Sequence, residues 1–275
     1  MESNPFAQAN WRLLFSPPLP GPENMAIDEA ILDSVIHGVS PPTLRLYAWS
    51  PACLSLGVAQ PVLDVDGEGL RKMGWDLVRR PTGGKAILHD QELTYAVLSP
   101  QDEPRLAGSL VESYRNLSRG LIQGLRLLGL APEAKALESQ ERLRGAVCFE
   151  TPSDYEITVK GRKLVGSAQL RRKGAVLQHG SLPLKGDLGR IILGLQLDEP
   201  DLENAMDRVR RRAISLAEAL GREVSWEAAA KALVQGFAEA LSLTWVEEDL
   251  TAEERSKASL LSEEKYRSQS WNNRV

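Results

Sequence analysis

The sequence predicts an α+β fold, a mixed β-sheet core with flanking helices. Three observations carry this expectation. Short stretches with strand-like patterning come in groups, at Leu44–Trp49, Cys53–Val58, Trp75–Arg80, Lys85–His89 and Leu93–Ser99, and again at Asp154–Val159, Lys163–Leu170 and Ala175–Leu182. Helical patterns lie between and beyond these groups without strict βα alternation, which argues against a doubly wound sheet. The chain has 275 residues, 43% apolar and 25% charged, an ordinary globular composition able to bury about three-quarters of its unfolded surface.

The elements follow in order. Asn24 is placed as an N-cap for a helix over Met25–His37, with Ile27, Ala30, Ile31 and Val35 on one face and Gly38 as its stop. Beyond Pro41 and Pro42, Leu44, Leu46 and Ala48 alternate with Arg45, Tyr47 and Trp49, the pattern of a half-buried strand. Pro81-Thr82-Gly83-Gly84 is a turn, Ala107–Leu128 a long amphipathic helix, and Lys160-Gly161-Arg162 a second turn. Ser225 caps a helix over Trp226–Leu241, and the charged segment Thr251–Tyr266 reads as helical. With no internal repeat and no linker, a single domain with terminal decorations is expected.

Composition also excludes function classes. The net charge is −4 and the basic runs Arg79-Arg80, Arg171-Arg172-Lys173 and Arg208–Arg212 are isolated, so no nucleic-acid partner is expected. No apolar run reaches the ~20 residues that span a bilayer, and no secretory signal is visible at the start, so no membrane association and a cytoplasmic location are expected. The two cysteines, Cys53 and Cys148, have no metal-ligand spacing, and no metal is expected. A monomer is the default expectation.

Several residues are able to carry chemistry. The strand ending in Arg79-Arg80 enters a Gly83-Gly84 turn, where the backbone can approach a ligand and its N–H groups can bind an oxyanion; the plain alternative is a hairpin turn. His89, beside Asp90 and Glu92, is acid/base machinery or a polar strand end. Cys148 lies in a turn-prone stretch before a strand, as a nucleophile or a buried thiol, whereas Cys53 sits among apolar strand neighbours and reads as core. Lys163 opens the run Leu164-Val165-Gly166-Ser167-Ala168-Gln169 and, turned into a cleft, would favour the thiolate of a nearby cysteine. His179-Gly180 ends the next strand and would line the same cleft or be a satisfied polar strand end.

Together these segments resemble the biotin/lipoate protein ligase and transferase superfamily. The resemblance rests on Arg79–Tyr95, on Gly161–Gln169 as its lysine motif, on Gln178–Leu182 and on Asn24–Glu29, and it runs from about residue 11 to 245. Cys148-Phe149-Glu150-Thr151-Pro152-Ser153-Asp154-Tyr155-Glu156 is similar to the nucleophile segment of the Gram-positive-type octanoyltransferases. Lys85 departs from the arginine expected there, which keeps the charge and loses bidentate geometry.

The resemblance implies one catalytic domain over residues 1–246, with its core at about 36–246, and a C-terminal helical tail over 247–275. It implies a ping-pong transfer of octanoyl from octanoyl-acyl carrier protein to a lysine of the glycine cleavage H protein or another lipoyl domain, without ATP, metal or other cofactor. Cys148 and Lys163 would be catalytic. Arg79, Arg80, Thr82, Gly83, Gly84, Lys85, His89, Gly166, Ser167, Ala168, Gln169, His179 and Gly180 would bind substrate. An amidotransferase moving octanoyl or lipoyl between carriers, an ATP-dependent lipoate–protein ligase and a non-catalytic acyl-binding module are the alternatives.

Overall fold

A computed structural model describes residues 4–136, 155–197 and 202–275; Cys148 lies outside the described residues. Strand β1 (Ala9–Phe15) leads into α1 (Gly21–Ile36), then β2 (Thr43–Tyr47), β3 (Cys53–Leu56), α2 (Gly67–Met73), β4 (Asp76–Arg79), β5 (Ile87–His89) and β6 (Glu92–Pro100). Helix α3 (Leu110–Leu127) is followed by β7 (Glu133–Ala136), β8 (Tyr155–Val159), β9 (Arg162–Arg172) and β10 (Ala175–Pro183). Helices α4 (Leu202–Arg212), α5 (Leu216–Leu220) and α6 (Trp226–Leu241) precede β11 (Leu243–Glu247), and α7 (Ala252–Leu261) and α8 (Gln269–Asn272) end the chain.

Eight strands form one sheet in the order β11-β1-β2-β6-β10-β9-β8-β7, and β4-β3-β5 form a second, smaller one. β1 runs parallel to both β11 and β2; the pairings from β2 onward in the large sheet are antiparallel. This is the mixed sheet with flanking helices that the strand groups predict.

Both faces of the sheet are covered, which corrects the half-buried reading of β2: all five of its residues are buried. On one face Leu44, Leu46, Tyr95 and Val97 pack with Leu121 of α3 and Leu233 and Phe237 of α6. On the other, Tyr47, Ala96, Leu98 and Leu177 pack with Met25, Ile31 and Val35 of α1. Helix α1 also starts earlier than the sequence suggests. Pro20 occupies the N-cap without a side-chain bond, and Pro22 sits in the first turn, where its missing N–H costs nothing. Asn24 is not a cap: its amide donates to the Leu19 and Ala48 carbonyls at 3.1 and 3.0 Å and ties the helix to the chain after β2.

Helices α3 and α6 meet with almost no space between them. A Cβ on Gly236 would stand 2.2 Å from the Gly124 amide nitrogen and 2.6 Å from the Gly120 carbonyl. Backbone cannot move as a side chain can, so Gly236→Ala is expected to destabilise the fold by at least ~1–3 kcal/mol, read as a lower denaturant midpoint at unchanged slope. A midpoint equal to that of the unmodified chain would show that the helices part freely.

The segment after residue 246 is folded onto the sheet. Glu254 of α7 is buried and accepts both guanidinium nitrogens of buried Arg12 at 2.9 and 2.7 Å, and Tyr266 is buried with its hydroxyl on Glu29 of α1. Among the described residues, no helix is long and apolar enough to cross a membrane.

Candidate active site

The register of β9 and β10 decides which side chains meet. In a strand, alternate residues face alternate sides. Gln178 faces α3, bonding the Tyr95 hydroxyl at 3.0 Å and the Gln169 amide at 2.9 Å. Its neighbour His179 therefore faces α1 and the small sheet, opposite Ala168. Gly166 and Ala168 share that face, whereas Ser167 bonds Tyr95 at 2.7 Å and Gln169 bonds Ser113 at 2.9 Å on the far side. Ser167 and Gln169 thus shape the sheet from behind, and Gly166 and Ala168 make the floor beside His179 on the opposite face. Gly180 is required by close approach, since a Cβ there would meet the Gly166 carbonyl and a Tyr95 ring carbon, each at 2.6 Å.

His179 joins two elements to that floor. Its Nε2 lies 2.7 Å from Thr82 Oγ1 and its Nδ1 3.3 Å from Asp28 Oδ2. An anionic Asp28 accepts from Nδ1–H, which makes Nε2 the acceptor of the Thr82 hydroxyl proton. Asp28 is fully buried and also accepts from Arg45 at 2.7 Å and from the Tyr47 hydroxyl at 2.9 Å. Burial alone would raise the Asp28 carboxyl; the Arg45 guanidinium and His179 outweigh it and hold the group below its usual range. Burial pushes His179 below its usual value, against the opposing pull of Asp28, and favours the neutral ring.

The Thr82–Lys85 turn is braced from inside. Arg80 is buried and donates to the carbonyls of Ser55, Gly83 and Lys85 at 3.0, 2.8 and 2.8 Å. Gly83 and Gly84 are exposed and Lys85 half-buried. Gly84 has φ +94°, which a side chain would strain, and its carbonyl is so close to Gly57 that a Cβ there would sit 1.9 Å away. Arg79 is buried, and its guanidinium meets the carbonyls of Gly57, Gln60 and Asn272. Both arginines therefore hold the loop in shape from beneath. His89 is stacked on Trp49 at 4.0 Å between ring centres, with Nε2 2.8 Å from Ser55 Oγ. Its Nδ1 stands 3.2 Å from Glu92 Oε1, off the hydrogen-bonding direction.

Lys163 is buried, and its ammonium is paired with Glu156 Oε1 at 2.6 Å. The two residues face one another because β8 and β9 form a hairpin across the turn at Lys160 and Gly161, both with positive φ, and a register irregularity follows Ile157. The Lys163 side chain folds towards Gly166, whose Cβ position is 3.3 Å from Lys163 Cε. It thereby reaches the same face as Ala168 and His179.

The site-residue expectations thus separate by location. Lys163, Gly166, Ala168, His179 and Thr82 come together, with the Gly83-Gly84 turn beside Thr82; Arg80 braces that turn and its charge also reaches His179, while Arg79, Ser167 and Gln169 support from outside. Asp28, Arg45 and Glu156 were not among the expected site residues. The hairpin turn would have suggested a partner for Lys163 on β8, whereas no local pattern points to Asp28. Among the described residues, no group of His, Cys, Asp or Glu is arranged to hold a metal ion.

The sequence profile of the lipoyl protein ligase A/B catalytic domain covers residues 20–238, and the chain belongs to that family. Its fold is similar to the bi-partite lipoate protein ligase of Thermoplasma acidophilum, with TM-score 0.82, 26% identity and 97% of each chain covered. It is also similar to lipoate-protein ligase A bound with ATP, with TM-score 0.80, 26% identity, and 96% and 99% covered.

Within the family the chain groups with acyltransferases of lipoate biosynthesis. It is 45% identical to the octanoyltransferase LipM of Symbiobacterium thermophilum, covering 97% of this chain and 99% of that one. It is 43% identical to the octanoyltransferase LipM of Kyrpidia tusciae, covering 96% and 98%.

Proposed function

We propose that this chain takes an octanoyl group from octanoyl-acyl carrier protein onto Cys148 and passes it to a lysine of the glycine cleavage H protein or another lipoyl domain. The Cys148 thiolate attacks the donor thioester carbonyl, and the carrier thiolate leaves and takes a proton. The acceptor amine then attacks the Cys148 thioester, loses a proton, and expels the Cys148 thiolate. The first exchange is near thermoneutral and the second, thioester to amide, is downhill, so neither needs ATP. Covalent catalysis separates the encounters with two carrier proteins.

The observation that carries this reading is Lys163, a buried ammonium held by Glu156 and folded over Gly166. Such a charge favours a thiolate brought beside it. Tyr155 follows Cys148 by seven residues, at most ~25 Å of extended chain, and precedes Glu156, a span that permits the sulfur to reach Lys163. Backbone N–H groups around Gly166–Gln169 are the proposed oxyanion donors, and Thr82, Gly83, Gly84, Lys85, His89, His179 and Gly180 shape the acyl and donor site with Arg79 and Arg80 as braces. Burying the octanoyl chain gains ~0.8 kcal/mol per methylene. The reaction is assigned to the cytoplasm, where a free thiol persists.

Intact-protein mass spectrometry decides the matter. Mixed with octanoyl-acyl carrier protein and no ATP, the chain is expected to gain an octanoyl mass that hydroxylamine removes. Cys148→Ala is expected to gain none. Modification of the acceptor by the alanine variant at the normal rate would overturn the mechanism, and modification that requires free acid and ATP would make the chain a ligase. Octanoyl-H protein used in preference to the acyl carrier protein as donor would make it an amidotransferase.

A further inference from the structure

The segment Gln269–Val275 lies against the arginine pair that carries the glycine turn. Trp271 Nε1 donates to the Arg79 carbonyl at 2.8 Å. Asn272 Oδ1 accepts from the Arg79 amide at 2.8 Å, and the Asn272 carbonyl accepts from Arg79 Nε and Nη2 at 3.1 and 2.7 Å. Arg79 Nη1 continues the chain of bonds to the carbonyls of Gly57 and Gln60. The Val275 carbonyl accepts from Val62 N at 2.9 Å. The segment therefore grips both β4 and the 57–62 loop.

Those are the two pieces of chain that hold the turn. Val58 N donates to the Thr82 carbonyl at 2.9 Å, and Gly57 packs on the Gly84 carbonyl. Arg80, next on β4, holds the Gly83 and Lys85 carbonyls. At its other end the segment is moored to α1. Asn272 Nδ2 donates to the carbonyl of Tyr266, whose hydroxyl donates to Glu29. Lys265 and Arg274 lie over the Trp271 ring at 4.1 and 4.7 Å.

We infer that Gln269–Val275 is a strap that positions the Thr82–Lys85 turn for the acyl donor. The inference rests on reading that turn as a donor contact. Two adjacent glycines give a loop many conformations, and a loop tied in its binding form loses less entropy when the donor arrives. The strap lies behind Arg79, and its bonds described above go to Arg79, Val62 and Tyr266 rather than to Lys163, Gly166, Ala168 or His179, so it is a positioning element, and its loss should fall on donor binding rather than on the thiol.

The test compares full-length Asn272→Ala, full-length Asn272→Asp and a chain ending at Ser268, with Gly236→Ala as a control for lost stability. The readouts are KM and kcat with octanoyl-acyl carrier protein, the rate of Cys148 alkylation by iodoacetamide, and the denaturation midpoint. Asn272→Ala is expected to raise donor KM about three- to tenfold, with kcat and alkylation within about twofold. The truncated chain should raise KM further, and Asn272→Asp, which keeps the acceptor for Arg79 N–H but loses the donor to the Tyr266 carbonyl, should restore KM only in part. An unchanged KM in Asn272→Ala overturns the strap, as does a rise no larger than Gly236→Ala shows at equal loss of stability. Asn272→Ala decides even where the truncated chain fails to fold. An unmodified chain that forms no octanoyl adduct overturns the proposed function, and this inference with it.

Discussion

Lys163→Ala is expected to lower octanoyl transfer about 10²–10⁴-fold, the range of a positioned acid–base group. The ammonium is buried against Glu156 and lies beside Gly166. In the proposed mechanism, removing it takes away the cation that would favour the Cys148 thiolate, and it leaves Glu156, 12% exposed at its side chain, without that partner. Some stability should be lost as well, so activity alone does not identify the role. The pH profile of Cys148 alkylation does. The thiolate should appear at higher pH in Lys163→Ala than in the unmodified chain, and Lys163→Arg, which keeps the charge, should shift it less. An unchanged alkylation profile together with transfer within threefold of normal would remove Lys163 from the mechanism.

Asp28→Ala should cost the fold about 3–5 kcal/mol, because it strands a guanidinium away from water. Asp28 and Arg45 are both fully buried, and the same carboxylate also accepts from Tyr47 and faces His179. Denaturant midpoints measure the loss; a loss under 1 kcal/mol, on the order of one ordinary hydrogen bond, would show that the other Arg45 partners suffice.

The pH dependence has a definite sign. Asp28 is held below its usual value of 3.8 in the fold. Its contribution is therefore fully present above that value and is lost as pH falls through the lower folded value. His179 is pushed below its usual 6.5 by burial. The unfolded chain then takes up this proton first, and stability falls as pH drops from about 6.5 towards the lower folded value. His179→Gln should flatten that slope and Asp28→Asn the more acidic one.

Much of the local structure was legible from the sequence. Helix Trp226–Leu241 with its Ser225 cap is found as expected, because the cap and the apolar period both act within one helix and outweigh the single interior Gly236. The turn at Lys160-Gly161 is present for a similar reason, and Cys53 is in the core. Longer-range features were not. The pairing of β1 with β11 joins Ala9 to Leu243, and the three-stranded sheet brings β4 beside β3 across helix α2. Such pairings are set by which faces remain to be covered once the other elements have packed, and no window of a few residues records that. Asn24 shows the same limit: its residue type suits a cap, and packing used it to bridge Leu19 and Ala48.

The sequence by itself determined the family, the helices α1, α3 and α6, most of the central strands and the identity of the residues able to do chemistry, because motif spacing and residue type are covalent facts; it did not show β1, β7, β11, α2, α4 or α5. Only the tertiary structure decided the stations of those residues. It set Lys163 against Glu156 and His179 between Thr82 and Asp28, and it used Arg79 and Arg80 to brace the turn. The physical reason is that a buried polar group must find its partner among whatever the fold brings near, and that neighbour is often far away along the chain.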